Sequence, residues 1–314
     1  MRVVAARLVA HGQPLRVEEL DVGEPGDQEV LVQLAFAGVN PIEMRAAQGQ
    51  VAPDAPVPRT LGTEGAGTVE GRRVMVRGYG VGTTRDGLWA TAAIVPRGAV
   101  IEVPEGVELP AAAAMGVAGV TAWRCVTDLA EVTAGDTVLV LGASGGVGSI
   151  IVSVARGIGA TVAAQTGSER NREWLTDRGA HHVVVAGAAG LRDALADLRP
   201  TVVFDPLGGD FTGAAIDAMQ PHGRMVLFGA SAGPDGQVPL RSLYGKSITV
   251  RGYAGLLEPD DVLSAATREA LAALAAGRLA VPIAAVVPLR QVNDAIEQLA
   301  RRTVRGKVVL DTSA

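Results

Sequence analysis

The chain has 314 residues, of which 48% are hydrophobic and 19% charged, and its formal net charge is -5 at pH 7. This composition supplies the apolar side chains of one or two packed domains and excludes an intrinsically disordered chain. Neither the acidic balance nor the scattered charges suit a nucleic-acid-binding surface. One cysteine, Cys125, excludes an intrachain disulfide and a zinc site built from three or four cysteines.

Two segments raise the question of a membrane. The N-terminus is apolar, but Arg2 and Arg7 interrupt it, so we predict no signal peptide. Residues Thr137 to Ala155 carry no charge and would be long enough to span a bilayer, yet four glycines lie in the middle of this stretch. A strand, a tight turn and a helix account for it better than one membrane helix does. We therefore expect a soluble, cytoplasmic protein with no membrane partner.

Residues 1–112 consist of short β-type runs separated by glycine and proline, which is typical of a small, mostly antiparallel β domain. The predicted turns are Glu24–Asp27 and Pro104–Gly106, and the one predicted helix is Pro41–Ala47, with proline at a favourable first position. The predicted strands are Val3–Val9, Glu29–Phe36, Gly67–Val69, Arg73–Val76 and Ala92–Val95.

Residues 113–258 alternate between helical and strand patterns, which predicts a doubly wound parallel sheet with right-handed crossovers. The predicted strands are Thr137–Leu141, Thr161–Gln165, His182–Val185, Val202–Asp205, Met225–Gly229 and Ile248–Tyr253. The predicted helices are Ala113–Leu129, Val147–Gly157, Arg170–Arg178, Leu191–Leu198 and Phe211–Met219. In residues 259–314 we predict helices Asp260–Ala276 and Gln291–Arg301, joined by a linker, and a last strand Lys307–Leu310.

The strongest chemical signal is the glycine-rich turn between the first strand and helix of this alternation. Glycines at this point let backbone N–H groups approach a pyrophosphate, and the helix N-terminus adds partial positive charge. We favour dinucleotide binding over a turn that only packs a helix on a sheet, because strand, turn and helix occur in the required order. The predicted contacts are Gly142, Ser144, Gly145, Gly146, Val147 and Gly148.

The same turn also fits the G-x-S-x-G pattern of a hydrolase nucleophile, Ser144. Asp205 and His222 follow in the order that a catalytic triad would need. His222, however, precedes a predicted strand instead of lying in a late loop, so the hydrolase is the weaker hypothesis.

The end of the second strand bears on the choice of cofactor. NAD enzymes place a carboxylate there for the adenosine ribose, but here no acidic residue occurs before Glu169. The side chains of Ser168, Arg170, Asn171 and Arg172 suit a 2′-phosphate, which favours NADPH over NADH. The alternative is that these residues form an ordinary solvated first turn of a helix.

At this point the sequence resembles the medium-chain dehydrogenase/reductase superfamily, in particular its zinc-independent quinone oxidoreductase branch. The resemblance implies a GroES-like catalytic domain formed by residues 1–112 and the returning segment 259–314, and a Rossmann NADP(H)-binding domain formed by residues 113–258. Zinc-dependent members need a cysteine near position 40 and a histidine beside Glu64; here these positions hold Asn40 and Thr63, so no metal is expected. The resemblance rests on residues 37–43, 61–67, 119–122, 142–148, 205–209, 223–229 and 306–310.

Several further residues become site candidates. Asn40 is the predicted catalytic residue, whose amide would hold the nicotinamide ribose or polarise a substrate carbonyl, although it also suits a local turn before Pro41. Arg45, which stands where quinone reductases often carry a tyrosine, and Arg59 are the basic residues predicted near the substrate. The remaining predicted cofactor contacts are Thr121, Leu207, Gly229, Ala230, Ser231 and Arg302, and Lys307 is a further candidate if the tail packs as in the family.

These observations predict an NADPH-dependent enzyme that transfers hydride to a quinone or an activated C=C bond of an enone or enal, without metal. One alternative is an enoyl-thioester reductase, favoured by Arg45 and Arg59; another is a non-catalytic NADPH-binding protein. The resemblance also implies a homodimer that pairs the edge strand Ile248–Tyr253 across a two-fold axis.

Overall fold

A computed structural model describes residues 1–313, which divide into two compact units. The first, the β-rich unit, comprises residues 1–120, 258–277 and the chain from Val281 onward. The second, the α/β unit, comprises residues 121–257 and 278–280. Within residues 1–313, no helix has the length and apolar character needed to cross a membrane.

The β-rich unit contains two sheets whose neighbouring strands are antiparallel, except for one parallel pair at the chain end. The smaller sheet has the order β2-β1-β4, and the larger has the order β15-β16-β3-β5-β6-β8, with β7 also paired to β3. The strands are β1 Arg2–Leu8, β2 Arg16–Asp21, β3 Glu29–Val39, β4 Arg59–Thr60, β5 Glu64–Val69, β6 Arg72–Arg77, β7 Ala92–Pro96, β8 Val100–Glu102, β15 Ile283–Pro288 and β16 Lys307–Asp311.

Alternating apolar residues of these strands build two cores. One surrounds the fully buried Trp89 and Leu8, and the other surrounds Val32, Val76 and Val95. The helices of the unit are α1 Pro41–Ala47, α2 Leu109–Ala113, α9 Asp260–Ala275 and α10 Val292–Ala300.

The α/β unit is a six-stranded parallel sheet in the order β11-β10-β9-β12-β13-β14. This order reverses direction between β9 and β12, and ligands of doubly wound sheets bind at the carboxyl ends of the strands at that point. The strands are β9 Thr137–Val140, β10 Thr161–Thr166, β11 His182–Val185, β12 Val202–Asp205, β13 Arg224–Leu227 and β14 Thr249–Gly252. The helices are α3 Val120–Arg124, α4 Gly146–Ile158, α5 Arg172–Asp177, α6 Ala188–Ala194, α7 Asp210–Ala218 and α8 Leu240–Gly245.

The predicted fold class, a GroES-like β-rich domain with a Rossmann parallel sheet, is confirmed. The predicted helix Ala113–Leu129 is helical in the structure but is not a regular α-helix, because Met115–Gly119 and Cys125–Leu129 are π-helical. In the first segment, the Val117 N–H donates to the Glu64 carboxylate at 2.6 Å. A Cβ on Gly116 would lie 2.9 Å from the Glu64 Cβ. The π-helical segment thus coincides with a contact to Glu64, which is distant in the sequence. Helical periodicity alone does not predict such a segment.

Several elements were not predicted, among them β15 and α8. The segment expected to link the last two helices contains β15, whose parallel pairing with β16 adds an edge to the larger sheet. Its inward positions Ile283, Ala285 and Val287 alternate with exposed ones, but the exposed positions Ala284 and Val286 are apolar too, so the pattern is faint. Helix α8 has no buried residue, which explains why no apolar periodicity marks it.

Candidate functional site

The glycine-rich turn of the α/β unit joins β9 to α4. Gly142 has φ +58°, which favours glycine, and a Cβ on Gly148 would lie 2.6 Å from the Gly142 carbonyl oxygen. Gly145 caps α4 without a side-chain hydrogen bond, so the first N–H groups of this 13-residue helix have no side-chain acceptor. The backbone therefore offers a close-packed, electropositive helix end at the carboxyl edge of the sheet.

Gln165 at the end of β10 fixes the shape of this turn. Its Oε1 accepts the Gly142 N–H at 2.9 Å, its carbonyl accepts the Ala143 N–H at 2.9 Å, and its Nε2 donates to the Ala186 carbonyl at 2.6 Å. The side chain is buried. Sequence analysis missed this role, although an amide inside an otherwise apolar strand was the available signal.

Asn171 connects the turn to the loop after β10. It is buried, and its Nδ2 donates to Thr166 Oγ1 at 2.8 Å and to Ser144 Oγ at 3.2 Å. Its Oδ1 is also buried and has no hydrogen-bond partner within residues 1–313. A polar ligand at this position could donate a hydrogen bond to this free acceptor and accept hydrogen bonds from the uncapped backbone N–H groups.

The structure argues against the hydrolase hypothesis. The Asp205 carboxylate accepts hydrogen bonds from the N–H groups of Leu207 and Gly208 and from Thr212 Oγ1, at 2.6–2.9 Å, and so holds its own loop. His222 precedes β13, at the amino end of a strand, whereas Ser144 follows the carboxyl end of β9. Four-residue parallel strands separate these two sheet edges by about 13 Å, which prevents a catalytic triad.

The loops after β12 and β13 pack against each other through their main chains. The N–H groups of Ser231 and Ala232 donate to the carbonyls of Pro206 and Leu207 at 3.1 and 2.7 Å. A Cβ on Gly229 would lie 2.7 Å from the Pro206 carbonyl oxygen. The predicted contacts Leu207, Gly229, Ala230 and Ser231 therefore lie together at the carboxyl edge of the sheet.

The residues predicted to bind a 2′-phosphate differ in their surroundings. Arg172 pairs with Glu169 and donates to the Val183 carbonyl at 3.0 Å. The Asn171 amide nitrogen already donates a hydrogen bond to Thr166. Arg170 is exposed and has no partner within the part of the chain that the structure describes. Arg170 is thus the guanidinium that remains available for an anionic group.

In the β-rich unit, five side chains form what we call the buried polar cluster: Asn40, Glu43, Thr63, Glu64 and Lys307, all with less than a tenth of their surface exposed. The Lys307 ammonium donates to the Asn40 amide oxygen, to Glu64 Oε1 at 3.0 Å and to the Val39 carbonyl at 3.2 Å. The Asn40 amide nitrogen donates to Glu64 Oε1 at 2.7 Å. Asn40 is therefore held by both members of a buried ion pair.

Glu43 forms the other half of this cluster. It accepts the N–H of Asn40 at 2.9 Å and the N–H and hydroxyl of Thr63 at 2.9 and 2.5 Å. Burial raises the pKa of Glu43 and the charge of Glu64 adds to this, while the Thr63 donors and Lys307 oppose it. A Cβ on Gly38 would lie only 2.0 Å from Glu64 Oε1, so glycine is required at that position beside the carboxylate.

The donor set at the buried polar cluster does not suit zinc. Asn40 and Thr63 offer neutral oxygen and nitrogen atoms where thiolate and imidazole would be needed. An ammonium group already lies among the available oxygens. No group of three or more His, Cys, Asp or Glu residues within positions 1–313 is arranged to hold a metal.

The remaining predicted residues lie apart from these two clusters. Thr121 is half-buried in α3, Arg302 is exposed with φ +53°, and Arg45 is exposed on α1. Arg59 is buried, with 3% of its surface exposed. Burial also raises the pKa of the Cys125 thiol, which makes it a poor nucleophile.

Comparison with known proteins agrees with this architecture. A family model described as an alcohol dehydrogenase GroES-like domain matches residues 26–105, and one described as a zinc-binding dehydrogenase matches residues 146–276. Quinone oxidoreductase-like protein 2 of Mus musculus is 31% identical over 95% of this chain and 89% of its own. The mitochondrial enoyl-[acyl-carrier-protein] reductase of Xenopus tropicalis is 29% identical over 77% of this chain and 74% of its own. A solved structure of an NAD-dependent alcohol dehydrogenase has a TM-score of 0.88 and 27% identity, covering 98% of this chain and 99% of its own.

The chain combines a GroES-like unit with a doubly wound sheet whose first strand, β9, is followed by a glycine-rich turn. This combination defines the class: an oxidoreductase of the dehydrogenase/reductase type. The chain belongs to the medium-chain dehydrogenase/reductase superfamily, in its quinone oxidoreductase-like branch.

The buried polar cluster predicts a specific pattern of stability changes. Lys307→Met leaves the Glu64 carboxylate buried without its cation, and we expect it to lower the free energy of unfolding by about 3–5 kcal/mol. The double variant E64Q/K307M removes both charges, so its free energy of unfolding should fall clearly less than that of Lys307→Met. Urea unfolding of the three proteins at pH 7 measures this, and a double variant as unstable as Lys307→Met would contradict the analysis.

Proposed function

We propose that the protein is an NADPH-dependent oxidoreductase that transfers hydride, without a metal ion, to a quinone or to the activated C=C bond of an enone or enal. The observation that carries the proposal is the Gly142–Gly148 turn: an uncapped helix end, fixed by Gln165, at the carboxyl edge of a doubly wound sheet. The name of the Mus musculus relative, quinone oxidoreductase-like protein 2, supports the same class of acceptor.

Each part of the cofactor has candidate partners in the α/β unit. The N–H groups at Gly146, Val147 and Gly148 are the donors for the pyrophosphate. Ser168 and Arg170 are the partners for the 2′-phosphate, since Arg172 and Asn171 are already committed. The main chain at Gly229–Ser231, together with Leu207, would line the part of the site next to the crossing point of the sheet. When bound, the reduced nicotinamide supplies the hydride.

The protein's own groups need to do little beyond orientation. A quinone or enone takes up one proton after the hydride, and this proton can come from water. In the buried polar cluster, Lys307 already donates to three oxygens, so it is not a free acid. The Asn40 amide oxygen accepts from Lys307 and from the Glu43 N–H, while its nitrogen keeps one further donor position, which suits a group that orients a substrate carbonyl.

A second candidate is the reduction of an enoyl thioester. It is favoured by the similarity to the Xenopus tropicalis mitochondrial enoyl-[acyl-carrier-protein] reductase. The hydride step is the same, because an enoyl thioester is also an activated C=C bond. The acceptor alone separates the two candidates.

Cofactor binding and turnover test the proposal. Calorimetry with the purified protein should detect NADPH binding tighter than NADH binding. NADPH oxidation followed at 340 nm should accelerate with quinones, enones or enoyl thioesters as acceptors. Failure to bind either cofactor would refute the proposal, and binding without turnover on any acceptor would favour a non-catalytic NADPH-binding protein.

Two arginine variants separate the candidates for the 2′-phosphate. Arg170→Ala removes a free guanidinium, and we expect the Kd for NADPH to rise about tenfold or more while the Kd for NADH stays unchanged. Arg172→Ala is the matched control, since its guanidinium is paired with Glu169, and it should change the Kd for NADPH much less. Equal effects of both variants, or equal loss of NADH binding, would contradict this assignment.

We also propose a homodimer formed through the edge strand β14. All four of its residues are exposed, and nearby large apolar side chains are exposed too, among them Leu240, Tyr244 and Leu257. The N–H groups of Thr249 and Tyr253 donate to the carbonyls of Gly223 and Leu227, on the side of β13. Because N–H groups alternate in direction along a strand, those of Val250 and Gly252 point to the free edge. An unpaired strand edge with exposed apolar side chains near it suits pairing with a second copy.

Light scattering after size exclusion tests the dimer. The wild-type protein should have twice the mass of one chain. Val250→Pro removes an outward N–H and should give a monomer that keeps its thermal midpoint within a few degrees. A wild-type monomer, or a Val250→Pro variant that still dimerises fully, would contradict the proposed pairing.

A further inference from the structure

The proposed function leaves the Arg59 guanidinium in the β-rich unit unexplained. Arg59 is 3% exposed. Its Nη1 donates to the carbonyls of Ala55 and Pro56 at 3.1 and 3.4 Å. Its Nε and Nη2 are buried as well, and neither has a hydrogen-bond partner within residues 1–313.

Strand pairing places this side chain on the core side of the smaller sheet. Arg59 lies opposite Leu8 in the antiparallel pair of β4 and β1, so the two side chains share one face. Leu8 is fully buried in the core that includes Val51 and Trp89. The guanidinium is therefore held against apolar surroundings, and this burial lowers its pKa while the more distant Asp86 raises it.

The acidic residues nearby are committed to another arginine. Arg7 donates to the Pro58 carbonyl at 2.7 Å and pairs with Asp86 at 3.6 Å and with Glu18 at 3.9 Å. Asp86 also accepts the Thr60 N–H at 2.7 Å. Arg59 itself forms no ion pair with any described residue. The protein thus keeps one buried cation without an internal counter-ion.

The free nitrogens have a geometry that selects a ligand. Nε and Nη2 lie on the same edge of a guanidinium, where their N–H groups point in parallel toward two acceptors about one carboxylate apart. We propose that this edge of Arg59 binds a carboxylate on the acceptor substrate, so that the enzyme prefers acidic enones or enals. This inference rests on the proposed function for its reaction, but not for its binding step.

The segment beside Arg59 is largely exposed. Residues 51–58 connect α1 to β4, and Pro53, Asp54, Pro56, Val57 and Pro58 are exposed. Three of these residues are prolines, which have no N–H to donate. The two carbonyl contacts to Nη1 leave the opposite edge of the guanidinium unused. In the proposal, the carboxylate enters beside this segment, which belongs to no sheet.

Chain geometry brings the proposed anchor within reach of the buried polar cluster. Arg59 and Thr63 are four positions apart, so their Cα atoms lie at most about 14 Å apart. A short acidic substrate held by its carboxylate could therefore extend along this strand toward Asn40. The carboxylate anchors the substrate and does not itself react.

The reaction on a matched pair of acceptors tests the preference. In 4-oxo-2-pentenoate, hydride from NADPH adds to the carbon beside the carboxylate, the C=C π bond breaks, and a proton from water adds to the carbon beside the ketone. The products are 4-oxopentanoate and NADP⁺. In 3-penten-2-one a methyl group replaces the carboxylate, and the bonds formed and broken are the same.

We expect wild-type kcat/KM to be about tenfold or more higher for 4-oxo-2-pentenoate than for 3-penten-2-one, mainly through KM. Arg59→Met should abolish this preference, measured as the ratio of the two kcat/KM values, and Arg59→Lys should restore part of it. A wild-type enzyme without the preference, or an Arg59→Met variant that keeps it, would overturn the inference.

A binding measurement separates this inference from the proposed function. At constant ionic strength, 4-oxopentanoate should raise the thermal midpoint of the wild-type protein but not that of Arg59→Met, whether or not NADPH is oxidised. If this shift is present while NADPH is oxidised with none of the quinones, enones or enoyl thioesters, the proposed function fails and the carboxylate site stands. If the shift is equal in both proteins, the carboxylate site fails.

Two stability measurements guard against a purely structural role. Arg59→Met removes an unpaired buried charge, so without ligand its thermal midpoint should equal or exceed that of the wild-type protein. A midpoint several degrees lower would show that Arg59 supports the fold and would overturn the inference. Asp54→Asn should leave both midpoint and preference unchanged; loss of either would show that Asp54, not a substrate, is the partner of Arg59.

Discussion

The buried ion pair between Lys307 and Glu64 is the constraint on which the β-rich unit depends. A carboxylate that is fully buried must have a cation, and that cation comes from the last strand of the chain. Gly38 and the Val117 N–H complete its surroundings, so four distant parts of the sequence meet at one carboxylate. The C-terminal segment is therefore part of this unit for an electrostatic reason as well as through the pairing of β16 with β3.

The α/β unit solves a different problem with neutral groups. Its glycine turn must keep N–H donors unsatisfied by side chains, and such a backbone has little to hold it in place. Gln165 supplies that hold from the neighbouring strand, and Asn171 supplies it from the next loop. Polar side chains inside the unit thus fix the main chain, and the main chain keeps its N–H groups available at the carboxyl edge of the sheet.

Much of this organisation could be predicted from the sequence, because periodicity and glycine spacing are local signals. The six parallel strands, the glycine turn and the β-rich first third all follow from them. Lys307 was considered as a cofactor contact, and in the structure it lies in the buried polar cluster. Its partner Glu64 is 243 positions away in the sequence, so no local pattern could predict this contact. For the same reason no pattern distinguished the buried Arg59 from the exposed Arg45.

The contact between the loops after β12 and β13 has a consequence for how such an enzyme can diversify. Cβ atoms added at Gly208, Gly213 or Gly236 would meet main-chain oxygens of the facing loop at 2.3–2.8 Å. Replacing any of these three glycines would force the loops apart, so their packing tolerates little change. On the proposed function, changes of acceptor preference would therefore come from side chains of the β-rich unit, such as Arg59, instead of from these loops.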